Sequence, residues 1–287
     1  MIDNIFAKFD GAFAKNTIRA YRSDFTQYQN WCLENGLAPI PATAITMAMY
    51  VDYLSENNKS ATIRRRVNSL GTVLKLSKNF DPTKRPEVIL ALKRMHRKIG
   101  RAQQQATPLT KPLLNQLLSN CDDSLRGLRN QVLLTLGYET MRRRSELCAF
   151  KFEDIGQAPN GKPAIRLNFS KTDQYGTGKV LPISDDLLEL IEKWREVVDT
   201  DDYILRSVNR HGHIGDSLNP ASISTILKAI QERTSGAAKI KPLSGHSFRM
   251  GAALDLLEQG ESLERIMLKG GWQTDSTAIS YLRNWMY

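Results

Sequence analysis

Near its C-terminus the chain runs Gly245-His246-Ser247-Phe248-Arg249, then Gly270-Gly271-Trp272, then Tyr281. The tryptophan follows Arg249 by 23 residues, and the tyrosine follows Trp272 by nine. Histidine exchanges protons near neutral pH. Arginine carries a permanent charge on a planar fork that fits phosphate oxygens. In this order the residues supply a proton-transfer group, a phosphate clamp, a packed aromatic and a nucleophile. That set fits covalent chemistry on a phosphodiester. Such a cleavage needs an attacking oxygen, positive donors for the non-bridging oxygens, a proton acceptor and a donor for the leaving 5′-oxygen.

His246 and Arg249 stand three residues apart at the start of a predicted helix, so both can meet one phosphate. Arg142-Arg143-Arg144-Ser145-Glu146 follows an apolar helix that ends near Tyr138. Arg143 and Glu146 are also three apart, a spacing that lets the carboxylate hold the guanidinium in place. Preorganised donors of this kind are worth most where water is scarce. Lys171 falls at a predicted hairpin tip, within reach of a leaving oxygen, although a plain surface lysine fits that position as well. Tyr281 by itself reads as a core tyrosine. His211-Gly212-His213 has no cysteine or carboxylate at zinc-like spacing and reads as loop.

The elements that must carry these residues are mostly helical. Residues 12–35 show apolar positions at Ile18, Tyr21, Phe25, Tyr28, Trp31 and Cys32, with an N-cap at Asn16-Thr17. Helices are predicted over 44–54, over 60–76 and over 86–99, the last with Val88, Leu90, Leu92 and Met95 inside. Gly100 to Pro108 is polar, lacks a core signal and reads as a linker. Helical patterns resume over 113–118, 128–138 and 144–150. A single β region spans about 152–183, with a hairpin signal at Asn160-Gly161 and room for three short strands. Helices then return over 187–198, 220–235, 248–258, 263–268 and 277–282. The fold class is therefore mainly α (α+β). Residues 1–100 form an all-helical domain, 101–108 a linker, and 109–287 a mostly helical domain with a small antiparallel three-stranded sheet.

The composition points to a polyanionic partner. The net charge is +10 over 287 residues, a balance typical of nucleic-acid binders. Residues 1–101 hold 17 Lys+Arg against 8 Asp+Glu, whereas residues 102–287 hold 23 against 22. Between Lys59 and Arg101 there are 13 basic residues and only Asp81 and Glu87 are acidic. A solvated helix face mixes signs to gain i,i+4 pairs, so this stretch fits neutralisation by phosphates. Arg64, Arg65, Arg66, Lys93, Arg94, Arg97 and Lys98 are the candidate DNA contacts. Three cysteines at wide spacing, Cys32, Cys121 and Cys148, argue for a reducing cytoplasm and against a disulfide framework. No apolar run approaches the roughly 18 residues of a membrane span, and the first residues carry no secretory signal pattern.

Taken together, Arg143, Glu146, Lys171, His246-x-x-Arg249, Gly270-Gly271-Trp272 and Tyr281 resemble the tyrosine recombinase (phage integrase) family, its Cre-type members in particular. The segment Gly245 to Ala253 and the run Tyr281-Leu282-Arg283-Asn284 carry much of that likeness. The resemblance spans residues 109–287, and the N-terminal half fits the family's helical core-binding domain. It implies a site-specific recombinase that grips DNA as a C-shaped clamp. Tyr281 would attack the scissile phosphate to form a 3′-phosphotyrosyl link. Arg143 and Arg249 would clamp the non-bridging oxygens and Lys171 would protonate the 5′-oxygen. His246 would assist proton transfer, Trp272 would pack on or hydrogen-bond the phosphate, and Glu146 would orient Arg143. No metal, cofactor or ATP is implied. The implied partners are double-stranded DNA with inverted-repeat core sites and three further copies of the chain, a homotetramer on two sites working through a Holliday junction. The family usually carries a helix beyond the tyrosine; here only residues 282–287 follow it. A type IB-like topoisomerase shares this chemistry without strand exchange, and a DNA-binding protein could keep the scaffold without catalysis.

Overall fold

The computed structural model describes residues 2–102, 104–170, 176 and 178–282. The chain divides into two compact units, Met1–Gln104 and Gln105–Tyr287.

The first unit is all-helical: α1 (Ile2–Ala7), α2 (Lys15–Glu34), α3 (Ala44–Asn57), α4 (Ser60–Leu76) and α5 (Pro86–Ile99). Its core is built from Phe25, Tyr28, Trp31, Met47, Tyr50, Leu54, Ile63, Leu70, Leu74, Val88 and Met95. α2 packs on α4, and α3 packs on α5. Thr43 caps α3 by accepting from the Thr46 N–H at 3.0 Å. Two sequence expectations are corrected here. The cap of α2 falls at Ala14, with no side-chain hydrogen bond, rather than at Asn16-Thr17. Leu90 is exposed, because the buried stripe of α5 is Val88, Ala91 and Met95. Those positions follow the helical i, i+3, i+7 repeat, and Leu90 falls outside it. The helix α1 was not anticipated. It is held by edge-on aromatic contacts from Phe6 to Phe9 and from Phe9 to Phe13.

The second unit runs α6 (Lys111–Leu118), α7 (Leu125–Thr140), α8 (Arg144–Leu147), β1 (Ile155–Gln157), β2 (Pro163–Leu167), β3 (Lys179–Pro182), α9 (Asp185–Val198), α10 (Ser222–Arg233), α11 (Gly245–Glu258), α12 (Leu263–Gly270) and α13 (Asp275–Leu282). The strands form one antiparallel sheet in the order β1-β2-β3, with Ile165 opposite Leu181. The predicted mostly helical domain with a three-stranded sheet is what the chain forms. Ile165, Leu167 and Leu181 face a core shared with α7, α9 and α10. A smaller core gathers Met141, Met250, Ala253, Leu254, Ile266, Trp272, Ala278 and Leu282, and this one lies under the candidate chemistry.

The central helix of that smaller core is α11, and two glycines set its approach to its neighbours. A Cβ on Gly137 of α7 would lie 2.9 Å from the ring of Phe248 on α11. A Cβ on Gly251 of α11 would lie 1.8 Å from the carbonyl oxygen of Leu109. The Leu109 N–H in turn donates to the Ser247 carbonyl at 3.0 Å. Backbone therefore lies on backbone, and no rotamer change can make room for a methyl group. Gly251→Ala is expected to cost about 3 kcal/mol through overpacking. Gly156→Ala, where the added methyl meets open space, should stay within about 0.5 kcal/mol of the parent. Urea denaturation of the two variants checks both values.

Candidate active site and nucleic-acid interface

The site begins where α7 ends. Met141 caps that helix in the left-handed conformation, at φ 54°, which turns its carbonyl away from the helix axis. Arg249, one turn into α11, donates from Nη1 to that carbonyl at 2.9 Å. Arg249 is only 2% exposed. Its guanidinium carbon lies 4.9 Å from the centre of the Trp272 ring, a cation–π distance. The Trp272 ring also meets Tyr281 of α13, with centroids 5.3 Å apart and planes tilted by 48°. Arg249, Trp272 and Tyr281, separated by 23 and nine residues along the chain, are thus neighbours in space.

Arg143 sits at the N-cap of α8 and is part of a closed local unit. Its backbone N–H donates to one Glu146 oxygen at 3.1 Å, and its Nη1 donates to the other at 2.8 Å. Glu146 is 4% exposed. Burial alone would raise its carboxyl. The hydrogen bonds from Arg143, with its charge and that of Arg142, outweigh burial and hold it below the ordinary 4.5. Burial is also the first cause that pushes the Arg249 guanidinium below its ordinary value, and the positive charge of Arg143 adds to it. At neutral pH Arg249 still keeps its charge.

His246 occupies the first turn of α11, which a Ser244–Ser247 capping box fixes. The His246 N–H points to the Ser244 hydroxyl at 3.4 Å. Its side chain is exposed while Arg249 is buried, so the two residues of the His-x-x-Arg spacing present an open and a sheltered group. Lys171 lies outside the described residues. Among the described residues no group of three His, Cys, Asp or Glu side chains is arranged to hold a metal. The thiols of Cys121 and Cys148 are pushed by burial up to about 11 and about 12, which leaves them as poor nucleophiles.

Sequence reasoning missed several residues that shape the site. Tyr138 of α7 donates to Asp255 of α11 at 2.5 Å, and the same Asp255 oxygen accepts the Lys111 N–H at 2.7 Å. This joint ties α6, α7 and α11 together across 117 and 144 residues, a separation that no local spacing reveals. Arg142 has no role assigned by its spacing, yet it is the buried member of the run, at 2% exposure.

In the first unit Arg64, Arg65, Lys93, Arg94, Arg97 and Lys98 are exposed, and Arg66 is half-buried. Arg65 and Arg66 are not free cations. Arg65 grips the buried Asp24 of α2 with both Nη atoms, one of them at 2.9 Å, and Arg66 Nε stands 3.9 Å from the same carboxylate. Arg94 pairs with Asp52 at 2.8 Å. The basic stretch is thus unpaired only along the sequence; α2 and α3 supply part of its neutralisation. Arg64 keeps company with His96, which is pushed below its ordinary value by burial, then by Arg101 and Arg64.

Residues 107–286 match the phage integrase family, and the chain belongs to that family. Among its relatives is the recombinase cre of Escherichia phage P1, 25% identical over 95% of this chain and 85% of the relative. The integrase/recombinase xerD homolog of Selenomonas ruminantium is 28% identical over 94% of this chain and 82% of that protein. The fold matches the Tn1549 transposon integrase solved in complex with transposon right end DNA. That likeness has a TM-score of 0.71 at 13% identity, covering 98% of this chain and 94% of the other. It also matches a lambda integrase dimer bound to a core site, with a TM-score of 0.64 at 15% identity over 97% and 92%.

The Arg143–Glu146 unit carries a test of its own. Glu146→Gln leaves Arg143 without its counter-charge and should cost roughly 3 kcal/mol at neutral pH. Because the native carboxyl is held below 4.5, its contribution is complete above that value and is lost as pH falls through the lowered one. The stability gap between parent and variant should therefore be flat from pH 8 to about 5 and close on further acidification, as read by chemical denaturation at each pH.

Proposed function

We propose that the chain is a site-specific DNA recombinase, an enzyme that cuts and rejoins duplex DNA through a phosphotyrosine link. Membership of the phage integrase family supports this reading. The observation that carries it is the meeting of Tyr281, Trp272 and Arg249, with Arg143 beside Arg249. The Tyr281 oxygen attacks the scissile phosphorus, a new P–O bond forms, and the bond to the 5′-oxygen breaks. His246 takes the phenol proton, and Lys171 gives a proton to the departing 5′-oxygen, releasing a 5′-hydroxyl. Arg143 and Arg249 bind the non-bridging oxygens, with Glu146 orienting Arg143 and Trp272 packing against the phosphate. Rejoining reverses these steps with a 5′-hydroxyl from another strand. One phosphodiester is exchanged for another at each stage, so neither ATP nor a metal enters the balance.

In this reading residues 1–100 and 109–287, joined by 101–108, each contribute contacts to the duplex. Four copies act on two inverted-repeat sites and pass through a Holliday junction. A DNA-associated cytoplasmic protein fits these roles, and no described helix is long and apolar enough to cross a membrane.

Incubation with DNA from the source organism, followed by SDS denaturation and nuclease digestion, should leave a nucleotide 3′-phosphate on Tyr281. Tyr281→Phe should abolish the adduct and retain DNA binding. An adduct on another residue, or none, would overturn the assignment. Arg249→Lys replaces a bidentate fork by a point charge and should slow adduct formation by at least about 100-fold.

The exposed cations of α4 and α5 supply phosphate contacts in this reading. Arg97→Ala should lower the slope of log affinity against log salt by about one unit. Arg94→Ala should lower it by less, because Asp52 already neutralises part of that charge. Filter binding across a salt series measures both, and two unchanged slopes would remove α5 from the interface.

A further inference from the structure

Arg142 and Lys179 converge on the C-terminal end of α12. A helix leaves its last carbonyls without intrahelical donors, and here each of those from Met267 to Lys269 finds one. The Met267 carbonyl accepts the Trp272 N–H at 3.1 Å, and the Leu268 carbonyl accepts the Gly271 N–H at 3.3 Å. These two bonds make the tight left-handed turn at Gly271, φ 67°. Lys179 Nζ, at the first position of β3, also donates to the Leu268 carbonyl. Arg142 Nη2 donates to the Lys269 carbonyl, while its Nε donates to the Thr140 carbonyl at 2.7 Å. The fit is close: a Cβ on Gly271 would stand 2.8 Å from Arg142 Nη1. Two cations therefore sit where the helix dipole is negative. Burial first, and then the nearby charge of Arg142, pushes the Lys179 amine below its ordinary value. Both cations are thus held in a sheltered place despite their mutual repulsion.

The turn they hold leads directly into Trp272 and then to α13 with Tyr281. Gly270 belongs to the same device, since a Cβ there would fall 2.2 Å from the Trp272 ring. We propose that Arg142 and Lys179 are positioning residues that clamp the end of α12 and thereby set Trp272 and Tyr281 against Arg249. Arg142 fixes this end to the chain segment that carries Arg143. Lys179 fixes it to β3 and so to the sheet. The nucleophile segment is thus tied both to the segment that carries Arg143 and to the sheet. The catalytic consequence rests on Tyr281 being the nucleophile; the clamp itself does not.

Lys179→Met and Lys179→Arg separate the two claims. Hydrogen exchange of the full-length protein without DNA reads the clamp. Lys179→Met should speed exchange at amides 268–282 by about 10-fold, the loss of one charged hydrogen bond, and leave α7 and α9 unchanged. Lys179→Arg should restore protection. Covalent capture of DNA from the source organism reads the consequence. Its yield should fall by about 10- to 100-fold in Lys179→Met, as for a misplaced reacting group, with filter-binding affinity kept within about twofold. Unchanged exchange would overturn the clamp, and so would a failure of Lys179→Arg to restore it. An affinity loss as large as the loss of adduct would assign Lys179 to DNA contact instead. Failure of the parent protein to form any adduct would count against the nucleophile reading, and the exchange result would still decide the clamp. Arg142→Met, the more deeply buried partner, should give the same exchange pattern if the variant folds.

Discussion

Like charges gathered in one sheltered place are the constraint on which this structure depends. Arg142 and Arg249 are both nearly inaccessible; burial first lowers each, and then the charge of Arg249 acts on Arg142 and that of Arg143 on Arg249. Three guanidiniums at the end of one helix repel, and burial removes the water that would screen them. One carboxylate, Glu146, opposes them. The rest of the compensation comes from carbonyl oxygens: Thr140 for Arg142, Met141 for Arg249, and the end of α12 for Arg142 again. The left-handed cap at Met141 follows from this requirement, because a helical Met141 would direct its carbonyl along α7. The two glycines that close α12 follow as well, since a side chain at either would displace Trp272 or Arg142.

The formal balance of this cluster has a chemical consequence for the proposed reaction. Three arginines and one glutamate sum to two positive charges before any lysine is counted. A phosphodiester in the ground state carries one negative charge. When a phenolate attacks it, the five-coordinate arrangement carries one more. A field fixed at about two positive charges therefore favours the transition state over the bound substrate, which is where electrostatic preorganisation accelerates a reaction. In this account Arg142 contributes charge without touching the phosphate, and its hydrogen bonds to carbonyls keep it in place while Arg143 and Arg249 turn their donors to the substrate.

Much of the architecture was legible in the sequence. The long helices were readable because their apolar repeats are strong, and the three strands because Asn160-Gly161 and short alternating runs mark a meander. The spatial meeting of Arg249, Trp272 and Tyr281 was readable only through family resemblance, since nothing in a spacing of 23 residues requires contact. What stayed hidden depends on tertiary partners. Leu90 looked buried by type, whereas the helical phase of α5 puts it outside. Asp255 looked like any helix carboxylate until Tyr138 and the Lys111 N–H were found on it. Spacing gives Arg142 no role in the run of three, because adjacent helix-terminal residues point in different directions and sequence does not say which points inward.

The same lesson changes how the basic first unit is understood. Counted along the chain, residues 59–101 look like cations waiting for phosphate. In the fold, Asp24 and Asp52 reach them from 41 and 42 residues away. A carboxylate buried between two arginines does more than reduce charge. It holds Arg65 and Arg66 against α2 and limits the rotamer freedom that a phosphate contact would otherwise have to freeze. Lys93, Arg97 and Lys98 are exposed, and among the described residues no ion pair holds them. The two groups suit different tasks: flexible cations follow a phosphate backbone of any sequence, whereas an anchored guanidinium is preorganised for one geometry. Under the proposed DNA contact, Arg65 and Arg66 enter with their orientation already fixed, whereas Lys93, Arg97 and Lys98 contribute chiefly affinity and its dependence on salt.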